Sequence, residues 1–248
     1  MPTEANTRVI DQSQRRWANG KLSQFCGRFE RDSRSDLWFA KSTPEEERKR
    51  ISAALLLMPA QLRHLAVELQ LTVSTNWGKT VRGDDATLYG EFTHNRKAEF
   101  SPHLEFGRNT LRCSLLVPHM VHELAHLFWN ALGAKEQAEY AHELVTSSTA
   151  TSIEVTSYAH DKLNNWRHAC TIKEPYGPVH RKAFLKTWAE ESYAESAAGI
   201  CVNGYTWKIT TVDLRARRAT IRNCTGLRLP ARISADEIAL LPALAKTK

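Results

Sequence analysis

Residues that can bind a metal ion and activate water lie together in VPHMVHELAHLFWNALG, residues 117–133. His122, Glu123 and His126 form the pattern HExxH. On an α-helix, residues four apart share one face, so both imidazoles could bind a single ion. Zn²⁺ accepts neutral imidazole ligands and leaves a position for water, and Glu123 would face that water as the general base. The pattern therefore predicts zinc-dependent hydrolysis of peptide bonds, with the pKa of the water lowered towards ~7.

The apolar residues around the motif indicate a buried helix rather than a surface segment. They are Met120, Val121, Leu124, Leu127 and Phe128, with the small Ala125 beside the ligands. The alternative without a metal is a pair of core histidines capped by a glutamate. Burying these three polar groups without a metal would cost several kcal/mol, which favours the metal site. His119, one turn before His122, is expected either to support a ligand or to lie at the surface.

The flanking sequence resembles the SprT-like (Spartan-like) zinc metallopeptidases. The segment AEFSPHLEFGRNTLRCSLLVPHMVHELAHLF is similar to the strand and variable segment that precede the HExxH helix in that family, and YGPVHRKAFLKTWAE resembles its third-ligand segment. There Gly177, His180 and Phe184 match the pattern, so the resemblance, over about residues 65–210, implies that His180 is the third zinc ligand. It also implies that the substrates are proteins, among them proteins bound or crosslinked to DNA.

Two features depart from that family. His180 follows His126 by 54 residues, more than is usual, and an insertion at residues 143–175 would explain the distance. The zinc ribbon of some members is absent, since Cys201 and Cys224 stand alone. The third ligand is therefore open to alternatives.

A second resemblance indicates a different third ligand. VTSYA (155–159) and EESYAES (190–196) resemble segments of the lethal-factor-like gluzincins, in which a tyrosine stabilises the oxyanion and a later glutamate binds zinc. Tyr158 and Glu195 would take these roles in a toxin or effector protease, and His142 is a further candidate ligand. Another functional class is a nucleic-acid-binding protein with a structural zinc, which a fourth protein ligand in place of water would favour.

The composition indicates which cellular compartment and which kinds of partner are expected. The chain has 248 residues, a net charge of +7 and a pI of about 9.2. It has no apolar run long enough to predict a membrane span, and its polar first twenty residues lack the apolar core of a secretory signal, so the cytoplasm is the expected compartment. The five cysteines are scattered without a CxxC pair, which argues against a disulfide framework.

The basic excess makes DNA a second expected partner. WKITTVDLRARRATIRN predicts a C-terminal β-hairpin that carries Arg215, Arg217, Arg218 and Arg222 near Trp207. Such a surface could bind a phosphate backbone and stacked bases with low sequence specificity. A solvated edge strand protected by charge is the simpler alternative.

Both strands and helices must position these residues. LTVSTNWGKTV and LYGEFTHNRKAEFSPHLEF predict a strand and a hairpin of short strands, whereas the HExxH segment and residues 178–200 have helical periodicity. The predicted fold is α+β and zincin-like, with the HExxH helix beside a small mixed β-sheet. We expect three regions: a helical N-terminal region at 1–64, a SprT-like metallopeptidase domain at 65–200, and a basic β-hairpin with a C-terminal helix at 201–248.

Overall fold

The structure, a computed structural model, is an α+β fold in which a mixed sheet lies beside a larger group of helices. The residues it describes are 29–75, 86–89, 92–94, 97–99, 102–112, 114–147, 154–173, 175–202, 213–229 and 233–243. The predicted α+β class is confirmed. None of the helices in these ranges has both the length and the apolar character that crossing a bilayer requires.

The described residues form seven short strands: β1 (Phe29–Arg31), β2 (Trp38–Ala40), β3 (Thr72–Ser74), β4 (Ala86–Tyr89), β5 (Phe92–His94), β6 (Lys97–Glu99) and β7 (His103–Phe106). The main sheet has the order β1-β2-β3-β7-β4, and β5 and β6 form a separate antiparallel pair. β2, β3 and β7 are parallel, whereas β1 and β4 are antiparallel to their neighbours. The predicted strand and hairpin are confirmed within these ranges.

The same ranges contain nine helices: α1 (Glu45–Leu57), α2 (Ala60–Glu68), α3 (Arg108–Arg112), α4 (Leu116–Asn130), α5 (Ala134–Thr146), α6 (Ser157–Thr171), α7 (Gly177–Cys201), α8 (Leu214–Thr225) and α9 (Ala235–Ala239). The predicted HExxH helix is confirmed as α4. It packs against α1, α2 and β4, and along much of its length against α7. α7 in turn packs against α6 and α8, so it connects the motif helix with the C-terminal part of the fold.

The parallel strands β3 and β7 are buried on both faces. Val73 and Leu104 are paired in register and belong to the main hydrophobic core. On the other face, His103 is 3 % exposed, and its two ring nitrogens lie 2.9 Å from the hydroxyls of Thr72 and Ser74. Burial lowers the pKa of His103 to about 4. This histidine is therefore a neutral, hydrogen-bonded part of the sheet.

A helical region was predicted for residues 1–64, but the described part of this region also contains strands. Residues 29–31 and 38–40 form the antiparallel strands β1 and β2, which extend the sheet. Trp17 and the rest of the helical pattern predicted before Phe29 lie outside the described residues.

The C-terminal arginine segment is a helix, so the β-hairpin predicted at these residues is wrong. RRATIRNC lies within α8, and Trp207 lies outside the described residues. The side chain of Asp213 caps α8 by accepting hydrogen bonds from the N–H groups of Arg215 and Ala216. Gly226 ends the helix in the left-handed conformation, with φ of 71°. These two end signals, together with packing against α5 and α7, outweigh the short alternation of polar and apolar residues.

Candidate metal centre

His122 and His126 lie one turn apart on α4, on the side that faces α7. Their neighbours Met120, Leu124 and Ala125 are buried in the core and fix the helix in place. The two Nε2 atoms are 3.1 Å apart, and the imidazole side chains are 14 % and 13 % exposed. The predicted histidine pair therefore meets at one point that solvent can still reach.

Glu191 of α7 supplies a third metal-binding atom at this point. Its Oε2 lies 3.4 Å from His126 Nε2 and 3.9 Å from His122 Nε2, and it is buried without a hydrogen-bond partner. Ligand atoms about 2.0–2.1 Å from zinc in a tetrahedral site are separated from one another by about 3.3 Å. The separations of 3.1 and 3.4 Å are close to that value, and the third, 3.9 Å, is longer. The group could therefore hold one metal ion with small side-chain adjustments.

Two further carboxylates lie behind the histidines. Glu190 Oε1 is 3.1 Å from His126 Nδ1 and accepts a hydrogen bond there when this nitrogen is protonated. Glu195 Oε1 is 3.5 Å from His122 Nδ1. A carboxylate at the outer nitrogen of an imidazole fixes the tautomer in which Nε2 is free to bind a metal, and it makes that nitrogen more basic.

The surroundings of the histidine pair favour a positive charge. Burial would lower the pKa of His126, but its contacts with Glu190 and Glu191 and the charge of Glu123 raise that pKa to about 10. Burial and the neighbouring charges of His126 and His119 hold the pKa of His122 well below its ordinary value. The site thus stabilises one protonated imidazole of this pair, but not a second. A divalent metal ion would experience the same field.

Glu123 and Tyr158 lie next to the group of three. Glu123 is buried, and its Oε1 lies 4.0 Å from His122 Nε2. Tyr158, in the first turn of α6, is 49 % exposed. Burial and the charges of Glu191 and Glu195 raise the pKa of its phenol, and Lys162 Nζ lies 4.6 Å from the centre of its ring. The buried carboxylate of Glu123 therefore lies beside the point where His122 and its partners meet.

The structure does not bring His180 to the two motif histidines. His180 is exposed in the first turn of α7, eleven residues and therefore about 16 Å along the helix axis before Glu191. The alternative ligand Glu195 lies behind His122 rather than at Nε2, and His142 is exposed on α5. His180 therefore lies on the same helix as Glu191, about three turns before it.

Sequence reasoning missed Glu190 and Glu191. Both belong to EESYAES, but a glutamate on a helix usually faces solvent. Nothing in the local sequence indicated that these two side chains face α4. The spacing of Glu191 and Glu195 is a usable signal, since four residues place both on one helical face. It repeats the spacing of His122 and His126 on the helix opposite.

A buried ion pair between Arg217 and Glu154 contacts α7 at Trp188 and Ser192. Arg217 is 2 % exposed and Glu154 is 1 % exposed, with Arg217 Nη2 3.4 Å from Glu154 Oε1. Trp188 Nε1 donates to Glu154 at 2.7 Å, and the hydroxyl of Ser192 donates to it at 3.1 Å. Arg217 also donates to the hydroxyls of Ser192 and Ser196. The proposed DNA contact at Arg217 is therefore wrong, because this side chain is enclosed in the protein.

The other three arginines form what we call the α8 arginine row: Arg215, Arg218 and Arg222. Their spacing of three and four residues puts them on one face of α8, opposite Arg217. Arg215 and Arg222 are exposed, and Arg218 is half-buried. DNA binding by this row stays a prediction.

Comparisons of the chain with protein-family models, with curated proteins and with solved structures find no match.

Proposed function

We propose that this protein is a zinc metallopeptidase in which His122, His126 and Glu191 bind the metal ion and Glu123 is the general base. The observation that carries the proposal is the convergence of one ligand atom from each of the three metal-binding residues, all within 4.8 Å of one another. Two imidazoles and one carboxylate are a ligand set of catalytic zinc sites, with a fourth position open to water. Zinc bound there supplies Lewis-acid polarisation and an acidified water.

The same donor set also suits iron(II) in non-haem oxygenases, so ligand type alone does not select the metal. Glu123 favours hydrolysis, because it directly follows the first ligand and its buried carboxylate lies 4.0 Å from His122 Nε2, where it could act on a water bound to the metal. A closed structural zinc site would need a fourth protein ligand. No such residue belongs to the group in the part of the chain that the structure describes.

Each remaining residue has a role that follows from its position. Glu123 accepts a proton from the attacking water and returns it to the leaving amine. Glu190 orients the imidazole of His126 through the hydrogen bond at Nδ1, and the carboxylate of Glu195 faces Nδ1 of His122 at 3.5 Å. The phenol of Tyr158 is protonated at neutral pH, as tyrosines ordinarily are, and would donate a hydrogen bond to the carbonyl oxygen as negative charge develops there.

This ligand set corresponds to the gluzincin alternative, with Glu191 in the place expected for Glu195. The SprT-like assignment stays a prediction, without support from His180 as a ligand. Action on DNA-associated proteins also stays a prediction, and it now depends on the α8 arginine row alone.

The test compares zinc-loaded wild type with Glu123→Gln on an unfolded protein such as casein. Glutamine keeps the shape of glutamate but cannot accept the proton. We expect turnover to fall at least ~100-fold while zinc content and thermal stability are retained. Glu143→Gln, an exposed site on α5, is the matched control and should cleave normally. Cleavage that Glu123→Gln leaves undiminished, or a zinc-loaded wild type that cleaves nothing, would contradict the proposal.

A further inference from the structure

An exposed row of aromatic rings runs along α7 towards the metal-binding residues. We call Tyr176, His180 and Phe184 the α7 aromatic row. Tyr176 is 69 % exposed, Phe184 is 38 % exposed and His180 is also exposed. The ring centres of consecutive members are 6.3 Å apart, with the first two rings stacked. The three side chains therefore form a continuous surface.

This surface and the third metal-binding residue share one face of one helix. Successive residues of an α-helix are rotated by about 100°, so His180, Phe184 and Glu191 lie within about 40° of one another around the axis of α7. Measured along the axis at about 1.5 Å per residue, Phe184 is about 10 Å from Glu191, His180 about 16 Å and Tyr176 about 22 Å. The row thus leads directly to the candidate metal centre.

At the same turns, Lys182 and Lys186 are exposed and charged, whereas Val179 adds exposed apolar surface next to His180 in the chain. Exposed aromatic side chains that adjoin one another commonly mark a binding surface, because water contact with them is unfavourable. The position of the α7 aromatic row, continuous with the metal-binding face, indicates that its occupant also reaches the metal centre.

We infer that the α7 aromatic row binds an extended segment of the polypeptide substrate. An extended chain advances about 3.3 Å per residue, so Phe184 would meet a side chain about three residues from the scissile bond, and Tyr176 one about seven residues away. The substrate class is therefore unfolded or extended polypeptide with an aromatic or large aliphatic side chain in that interval. The inference rests on the proposed function for the position of the scissile bond.

The first measurement is binding without turnover. Fluorescein-labelled casein is titrated with zinc-loaded Glu123→Gln protein and followed by fluorescence anisotropy. Adding Tyr176→Ala and Phe184→Ala should weaken binding about tenfold, since aromatic anchors contribute strongly to such interfaces. Adding Lys182→Ala and Lys186→Ala instead, at the same turns but on the charged face, should leave binding within about twofold. Zinc content measured on each protein reports whether the metal centre is intact.

The second measurement is cleavage of casein by proteins that retain Glu123, with the cut sites identified by mass spectrometry. Wild type should cut three to seven residues from an aromatic or large aliphatic side chain, and the double aromatic variant should lose this preference along with about tenfold in kcat/KM. If wild type does not cleave, the proposed function fails, and the anisotropy comparison still decides whether the row binds polypeptide.

Three binding results would overturn the inference, and so would one result on the oligomeric state. The binding results are equal casein binding with and without the two aromatic substitutions, an equal loss in the lysine control, and no binding by the Glu123→Gln protein. A dimer in size-exclusion chromatography that the aromatic substitutions dissolve would also overturn it, because the row would then bind a second copy of the chain.

Discussion

Replacing Arg217 by methionine should strongly destabilise the protein. Arg217 and Glu154 are 2 % and 1 % exposed, so the substitution removes the positive charge beside an interior carboxylate that also accepts hydrogen bonds from Trp188 and Ser192. Breaking a buried ion pair by removing one partner costs about 3–5 kcal/mol. In a protein of this size, each kcal/mol changes Tm by about 2–4 °C. The expected fall in Tm is therefore about 6–20 °C.

The assay is urea unfolding of wild type, Arg217→Met, Glu154→Gln and the double variant. Because each single substitution leaves a different unpaired group, the double variant should be less destabilised than the sum of the singles by at least ~1 kcal/mol. Arg222→Met, an exposed site on the same helix, is the control and should change the free energy of unfolding by less than ~0.5 kcal/mol. If Arg217→Met is as mild as Arg222→Met, the buried network has been misinterpreted.

Three other predictions concern the metal centre, the sheet and α8. Glu190→Gln and Glu195→Gln should each weaken zinc binding about 10–100-fold in competition with a chromophoric chelator, and unchanged affinity would remove their orienting role. The folded-state pKa of His103 is about 4, below its ordinary value of 6.5, so stability should fall as pH drops from about 6.5 to about 4, by up to about 3 kcal/mol. Urea unfolding across that range should show this loss in wild type and not in His103→Gln; an equal loss in both would exclude His103 as its source. Alanine substitution of the whole α8 arginine row should abolish salt-sensitive binding of labelled single-stranded DNA, whereas unchanged binding would leave the row without a role.

The HExxH helix could be predicted from the sequence, but the position of Glu191 opposite its histidines could not. Around His122 and His126 the apolar residues repeat with the helical period, and the two ligands are local to one another. Glu191 is 65 residues beyond His126, and its burial depends on how α7 packs against α4. Before that packing is known, an inward glutamate and a solvated one have the same local sequence. His180 was predicted as a ligand because Gly177 and Phe184 beside it match the third-ligand segment of the SprT-like family, and that match contains no information on how α7 packs.

The errors at the C-terminus have a different cause. In RRATIRNC, polar and apolar residues alternate over too few positions to separate a strand from a helix. Asp213 and Gly226 mark the two ends of the helix and were the better signals. The burial of Arg217 was not predictable, because its partner Glu154 precedes another helix and is brought near only by the tertiary fold.

The central claim is most directly tested by anomalous diffraction at the zinc edge from crystals of zinc-loaded protein. We predict one zinc ion about 2.0–2.2 Å from His122 Nε2, His126 Nε2 and a carboxylate oxygen of Glu191, with the fourth position taken by a solvent molecule near Glu123. Coordination by His180 or Glu195 in place of Glu191, or a fourth protein ligand that closes the site, would contradict it.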